Sequence, residues 1–300
     1  MSLNNLERLK DLEHIFKGEY YQLAEKKYID TSDNSEVLTI YSKAQAKNRT
    51  DFSLVFIPGW GTPILGWDEF LLEASKYFDL YYLETREMKS SILSKDSKYD
   101  IDRFSTDLQE VIENFGLDMN HTIVYGSSFG ALVFAHALAK KKINPYLSFL
   151  SGPTGKIQMP PFIKYALHIF PPSFFNIFAP FGRWWIRKVK SSSPQQTERY
   201  LSIIDNADPP KWKKIGKHLS HNTFWDVYED IDSRVIVIDE SEDKLHESQN
   251  TQRIANSISN SKYIDLKTND ITHSKIAIDT IRKELSTLYK SNKLKGRNSL

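Results

Sequence analysis

The sequence predicts an α/β fold, a mostly parallel central sheet flanked by helices and broken once by a helical insertion. Three observations carry this reading. Short β-branched and aromatic runs recur at Val37–Tyr41, Ser53–Ile57, Leu80–Leu83, Thr122–Tyr125, Tyr146–Leu150, Arg234–Ile238 and Lys262–Leu266, each bounded by polar residues, Gly or Pro. Between them, Asp68–Tyr77, Ile101–Phe115, Phe129–Lys140, Ser248–Ser257 and Lys275–Tyr289 place apolar residues near helical spacing. The alternation stops only between Ser151 and about Ile231, where Pro160, Pro161, Pro171, Pro172, Pro180, Pro194, Pro209 and Pro210 divide the chain into short helical pieces. The expected organisation is a helical segment over 1–30, with a helix at Leu6–Tyr28, a core over 31–152 and 231–291, a helical cap over 153–230, and a basic tail over 292–300.

Composition bounds the chemistry. A chain of 300 residues buries a large core. Forty Lys plus Arg against 38 Asp plus Glu give a net charge of +2, so no global field argues for nucleic acid. That sum has unlike parts: residues 151–197 carry +6 and residues 290–300 carry +4, leaving 30 basic against 38 acidic residues elsewhere. Cysteine is absent, which removes disulfides, thiolate-bound metals and a thiol nucleophile. Met1–Tyr20 mixes charges through every turn and has no secretory-signal pattern. Ile123–Ala139 is too short and too interrupted by Gly, Ser and His for a membrane span. The expectation is a soluble, cytoplasmic protein without a metal or other cofactor.

Taken in order, the strand at Ser53–Ile57 runs into Pro58-Gly59-Trp60-Gly61-Thr62. The sequence argues against a phosphate-binding loop there, because Gly66 is followed by Trp67 where a Walker loop needs Lys and then Ser or Thr, and the glycines do not fit G-x-G-x-x-G. The strand at Thr122–Tyr125 runs into Gly126-Ser127-Ser128-Phe129-Gly130 and then a small-residue helix. This is G-x-S-x-G in its strand-to-helix context, where a tight turn exposes the serine hydroxyl at a helix N-terminus. Ser128 is the expected nucleophile; Ser127 lacks the flanking-glycine register. The N–H of Phe129, just after it, and the N–H of Trp60 can together face a developing oxyanion.

A serine needs a base, and the base needs an orienting acid. The strand at Arg234–Ile238 runs into Asp239-Glu240-Ser241-Glu242-Asp243, and His273 follows the next strand after Asn269-Asp270-Ile271-Thr272. His273 is the expected base. His246 is a rival in the acidic loop itself, while His218 and His221 form a poor metal pair without a third ligand.

Together the Pro58–Gly61 loop, the Gly126–Gly130 elbow, the acidic loop and His273 resemble the α/β-hydrolase superfamily over roughly residues 37–291. The resemblance implies a cap inserted after strand 6 and an acid after the following strand, in a pattern like His-Gly-x-x-Asp that falls on Asp243, with Asp239 and Glu242 as alternatives. Pro58, Glu240 and Ile271-Thr272 depart from the residues usual in that family. The implied activity is that of a carboxylesterase-like serine hydrolase, with a thioesterase, an acyltransferase or a non-catalytic binder of a small hydrophobic ligand as rival readings.

The insertion is basic and aromatic. Between Ser151 and Thr197 lie Lys156, Lys164, Arg183, Arg187, Lys188 and Lys190, nine aromatic residues, and no Asp or Glu. Gly59 with Phe162, Phe174, Phe178 and Trp184 are the expected substrate-binding residues, on a small-molecule ester or acyl substrate. The same composition suits contact with an anionic membrane or an acidic acyl carrier. No nucleic-acid module is present.

Overall fold

The computed structural model describes residues 3–13, 16–45, 47–157, 165, 168–190, 193–243 and 248–297. Eight strands form one sheet: β1 (Glu25–Asp30), β2 (Glu36–Ser42), β3 (Ser53–Ile57), β4 (Asp79–Leu83), β5 (Thr122–Ser127), β6 (Leu147–Ser151), β7 (Val235–Asp239) and β8 (Ser261–Asp265). Their spatial order is β1-β2-β4-β3-β5-β6-β7-β8. The β1/β2 and β2/β4 pairs are antiparallel, and every pair from β4 to β8 is parallel.

The inner parallel strands, β3 to β7, are buried along nearly their whole length because helices cover both faces, whereas the edge strand β8 has no fully buried residue. In β3, Val55 and Ile57 join one buried cluster with Leu108 and Val133, whereas Leu54 and Phe56 join the other with Phe70 and Ile281. The first face is covered by α4 (Ile101–Asn114) and α5 (Phe129–Ala139), the second by α3 (Asp68–Ser75) and α12 (Lys275–Arg297). From Phe129 to Leu138 every residue of α5 is buried, so this helix has no polar side and sits flush behind β5.

The amino-terminal reading needs correction. Helices occupy Leu3–Asp11 (α1) and Glu19–Leu23 (α2), but Glu25–Asp30 is a strand paired with β2, not the end of a helix. Its sequence, EKKYID, buries only Tyr28 and Ile29. Charge on the remaining positions is how a sheet edge avoids further pairing, and it hides the strand pattern.

Between β6 and β7 the described residues contain helices and no strand: α6 (Phe175–Trp185), α7 (Pro194–Asp205), α8 (Pro209–His221) and α9 (Trp225–Glu229). A π-helical turn, Ile186–Lys190, follows α6. Ser193 and Asp208 cap α7 and α8, each accepting a bond from a first-turn N–H, with Pro at the first helical position. After β7 come α10 (Ser248–Ser257), then β8, then the one-turn helix α11 (Asn269–Thr272) that ends at His273.

Candidate active site

Ser128 stands between β5 and α5 with φ 49° and ψ −107°, a strained conformation for a non-glycine residue. The turn closes because its flanking residues have no side chains. A Cβ on Gly126 would lie 2.6 Å from the Ala131 nitrogen, and one on Gly130 would lie 2.2 Å from the Ile57 carbonyl oxygen. The Ser128 N–H donates to the Ser151 carbonyl at 2.8 Å, tying the turn to β6. Ser128 itself stays partly exposed while the residues on either side are buried.

The loop after β3 passes directly beside this turn. A Cβ on Gly59 would sit 3.6 Å from that of Ser128. Thr62 N–H donates back to the Gly59 carbonyl at 3.0 Å, and Gly61, at φ +65°, donates its N–H to Glu87 at 3.4 Å. The Trp60 ring packs against Trp212 of α8 with ring centroids 5.1 Å apart. Among the described residues, neither the Trp60 nor the Phe129 N–H donates to a main-chain carbonyl.

His273 is buried, its ring stacked on Trp67 at 3.6 Å between centroids. Nδ1 lies 2.8 Å from the Asn269 carbonyl oxygen. A carbonyl only accepts, so Nδ1 carries the hydrogen and Nε2 is the basic nitrogen. Burial, then the Arg199 charge, lower the ring's pKa to about 3, against opposing effects of the Asn269 hydrogen bond and the Asp270 and Asp243 carboxylates. The imidazole is therefore neutral through the physiological range.

Asp243 is buried, and its carboxylate accepts from the Tyr200 hydroxyl at 3.3 Å. Of the alternative acids, Asp239 is engaged elsewhere, by Tyr263 at 2.5 Å and by Ser248, and Glu242 is exposed. Glu240 supports the histidine turn instead: it accepts from Thr272 at 2.8 Å and from Asn269 at 3.0 Å. His246 lies outside the described residues.

Ser128, Ser127, Gly59, Trp60, Trp67, Phe129, Asn269 and His273 line one cavity of about 260 Å³. The helical segment between β6 and β7 completes its wall with Trp185, Arg199, Tyr200 and Ile203. Phe174, Phe178 and Trp184 do not line it; they are exposed on the surface of that segment. The reason is helical register, since Trp184 and Trp185 point about 100° apart and only Trp185 turns inward. Phe162 lies outside the described residues.

The sequence alone does not single out Trp67, Arg199, Tyr200 and Asn269. Arg199 Nη2 donates to Asn269 at 2.8 Å and to Asp270 at 2.5 Å, joining α7 to the turn that carries His273. No local pattern around these four residues distinguishes them; the absence of acids before Glu198 is the nearest signal, because it isolates the basic cap.

No protein-family model matches the sequence, and no curated protein matches it. Solved structures do match in shape. A thermophilic esterase from Thermogutta terrifontis superposes with a TM-score of 0.69 at 13% identity, covering 88% of this chain and 99% of that one. An esterase from Rhodococcus sp. ECU1013 gives 0.67 at 15% identity, over 88% and 99% of the two chains. The enol-lactonase from Burkholderia xenovorans LB400 gives 0.64 at 14% identity, over 88% and 100%. With the strand order above, the likeness establishes the α/β-hydrolase fold.

Proposed function

We propose that this α/β-hydrolase-fold chain is a serine hydrolase acting on a small carboxylic ester with an apolar acyl or alcohol part. The observation that carries the reading is the strained Ser128 turn opening onto the same cavity as His273. Ser128 Oγ attacks the acyl carbonyl as its proton passes to His273 Nε2, and that proton then goes to the departing alcohol. Water then takes the place of the alcohol: it gives a proton to Nε2 as it attacks the acyl-enzyme, and Nε2 passes that proton to Ser128 Oγ as the acid leaves. The Trp60 and Phe129 N–H groups stabilise the tetrahedral oxyanion, each such donor being worth about 2.7–4 kcal/mol. The Asn269 carbonyl fixes the tautomer, a task often given to a carboxylate, and Asp243 supplies the negative charge that favours the imidazolium once formed. Esterase and enol-lactonase neighbours support acyl chemistry as the class.

A fluorophosphonate probe tests this directly. Natural protein should be labelled and Ser128→Ala should not, while His273→Gln should label at least 10³-fold more slowly. Labelling that persists in Ser128→Ala removes Ser128 as nucleophile, and no labelling of either protein returns the chain to the binding-protein reading. Aryl esters, acyl thioesters and added alcohol acceptors then separate hydrolysis of esters from thioester cleavage and acyl transfer.

A further inference from the structure

Helix α6 presents its apolar side to solvent, the reverse of an ordinary surface helix. Ile177 is 66% exposed, Trp184 52% and Phe178 43%, and the same stripe runs through Phe174 and Phe181. Phe170 extends it, its ring 5.2 Å from Phe174 and 5.5 Å from Phe178 between centroids, beside Ile169 at 71% exposure. An aromatic surface of this continuity on a single chain marks a binding face. Arg187 and Lys188 are exposed just past its end and form no ion pair among the described residues. The nearest basic group on α6, Arg183, pairs with Asp205 of α7 at 2.6 Å. No Asp or Glu occurs from Ser151 to Thr197.

We propose that this face of the cap docks on an anionic lipid surface, with the Ile177, Phe178 and Trp184 side chains in the headgroup-to-acyl boundary and Arg187 and Lys188 on the headgroups. Aromatic residues in the apolar face with Lys and Arg at its margin are the chemistry of an interfacial helix. A second copy of this chain is less well matched, because two such faces would bring like charges together: the margin is basic and no Asp or Glu lies between Ser151 and Thr197. Position supports the same occupant. Trp185, the next residue after Trp184, walls the cavity, so docking α6 places the cavity's cap wall against the lipid. The proposal does not depend on Ser128 chemistry.

The test is sedimentation of the full chain with vesicles of phosphatidylcholine alone or phosphatidylcholine containing phosphatidylserine. The natural protein should partition onto the anionic vesicles at low salt, lose binding as salt rises, and bind neutral vesicles at least tenfold more weakly. Ile177→Ser/Phe178→Ser/Trp184→Ser and, separately, Arg187→Glu/Lys188→Glu should each lower the anionic partition coefficient more than tenfold, with circular dichroism unchanged. Absence of binding to anionic vesicles, or binding that the triple variant retains, overturns the proposal. A concentration-dependent dimer that the triple variant dissolves would overturn it in favour of a second copy of this chain. Loss of probe labelling at Ser128 with vesicle binding intact strikes only the catalytic reading, so the two fail separately.

Discussion

At Gly130, a methyl group has nowhere to go: its carbon would stand 2.2 Å from one backbone carbonyl oxygen and 2.7 Å from the next. At Gly116, by contrast, the backbone has φ +59° but nothing lies within 4 Å of an added Cβ. Gly116→Ala should therefore cost only the left-handed strain, about 1–2 kcal/mol. Gly130→Ala should cost more than about 4 kcal/mol or leave the chain unfolded, the outcome of forcing rigid backbone apart. Urea unfolding of both variants checks the contrast, and equal destabilisation would refute the steric account. These residues are legible in the sequence because the turn is local: five consecutive residues hold the proposed nucleophile, both glycines and one proposed oxyanion donor. His273 is legible through the order serine, acid, histidine. What surrounds its ring is not, because Trp67 comes from more than 200 positions earlier and reaches it only through the sheet's topology.

Helix α7 touches both groups proposed to support His273, Asn269 and Asp243. In α7, Arg199 grips Asn269 and Asp270 beside His273, and the adjacent Tyr200 donates to Asp243 while accepting from Gln196 at 3.0 Å. The Arg199 charge opposes protonation of His273, second only to burial. Arg199→Gln should therefore raise the histidine's pKa, moving the acid limb of kcat/KM to higher pH, and should lower kcat about tenfold more than it changes KM. Arg199→Lys keeps the charge and should leave the limb near its original position despite a lower rate. A pH–rate profile that is unmoved in Arg199→Gln, with rate loss alone, would reduce Arg199 to a structural strut. Elements differ in how readily they can be read. The six buried strands, β2 to β7, announce themselves by apolar runs with turn residues between them, while β1 does not, because a charged edge strand imitates a polar helix. In the cap, composition identifies aromatic helices but does not say which side of α6 faces inward. Helical spacing places residues relative to one another, and only contact with α7 and α8 fixes the rotation.

Across the whole molecule, two buried groups that form no ion pair among the described residues pull stability in opposite directions with pH. Glu84 is 1% exposed, its Oε2 accepting from Ser90 at 2.9 Å. Burial raises its pKa to about 7 from 4.5. Its contribution is fully present below pH 4.5, where both folded and unfolded states are protonated, and is lost as pH rises through 7. His273 runs the other way. With a folded pKa near 3 against 6.5, its contribution is present above pH 6.5 and is lost as pH falls toward 3. Going from pH 7 to pH 5, Glu84 adds about 2 kcal/mol and His273 removes about 2 kcal/mol, each tenfold change in a proton equilibrium being worth ~1.36 kcal/mol. Their sum is close to zero. Glu84→Gln should expose the histidine's effect, so that the variant loses about 2 kcal/mol more than the natural protein on acidification from pH 7 to pH 5. His273→Gln should expose the glutamate's effect and become more stable over the same interval. Urea unfolding at the two pH values measures both differences. The opposite pair of signs, or parallel behaviour of the variants and the natural protein, would mean that Glu84 is ionised in the fold or that His273 is protonated there. The second result would also weaken the proposed mechanism, because a protonated His273 cannot accept the Ser128 proton.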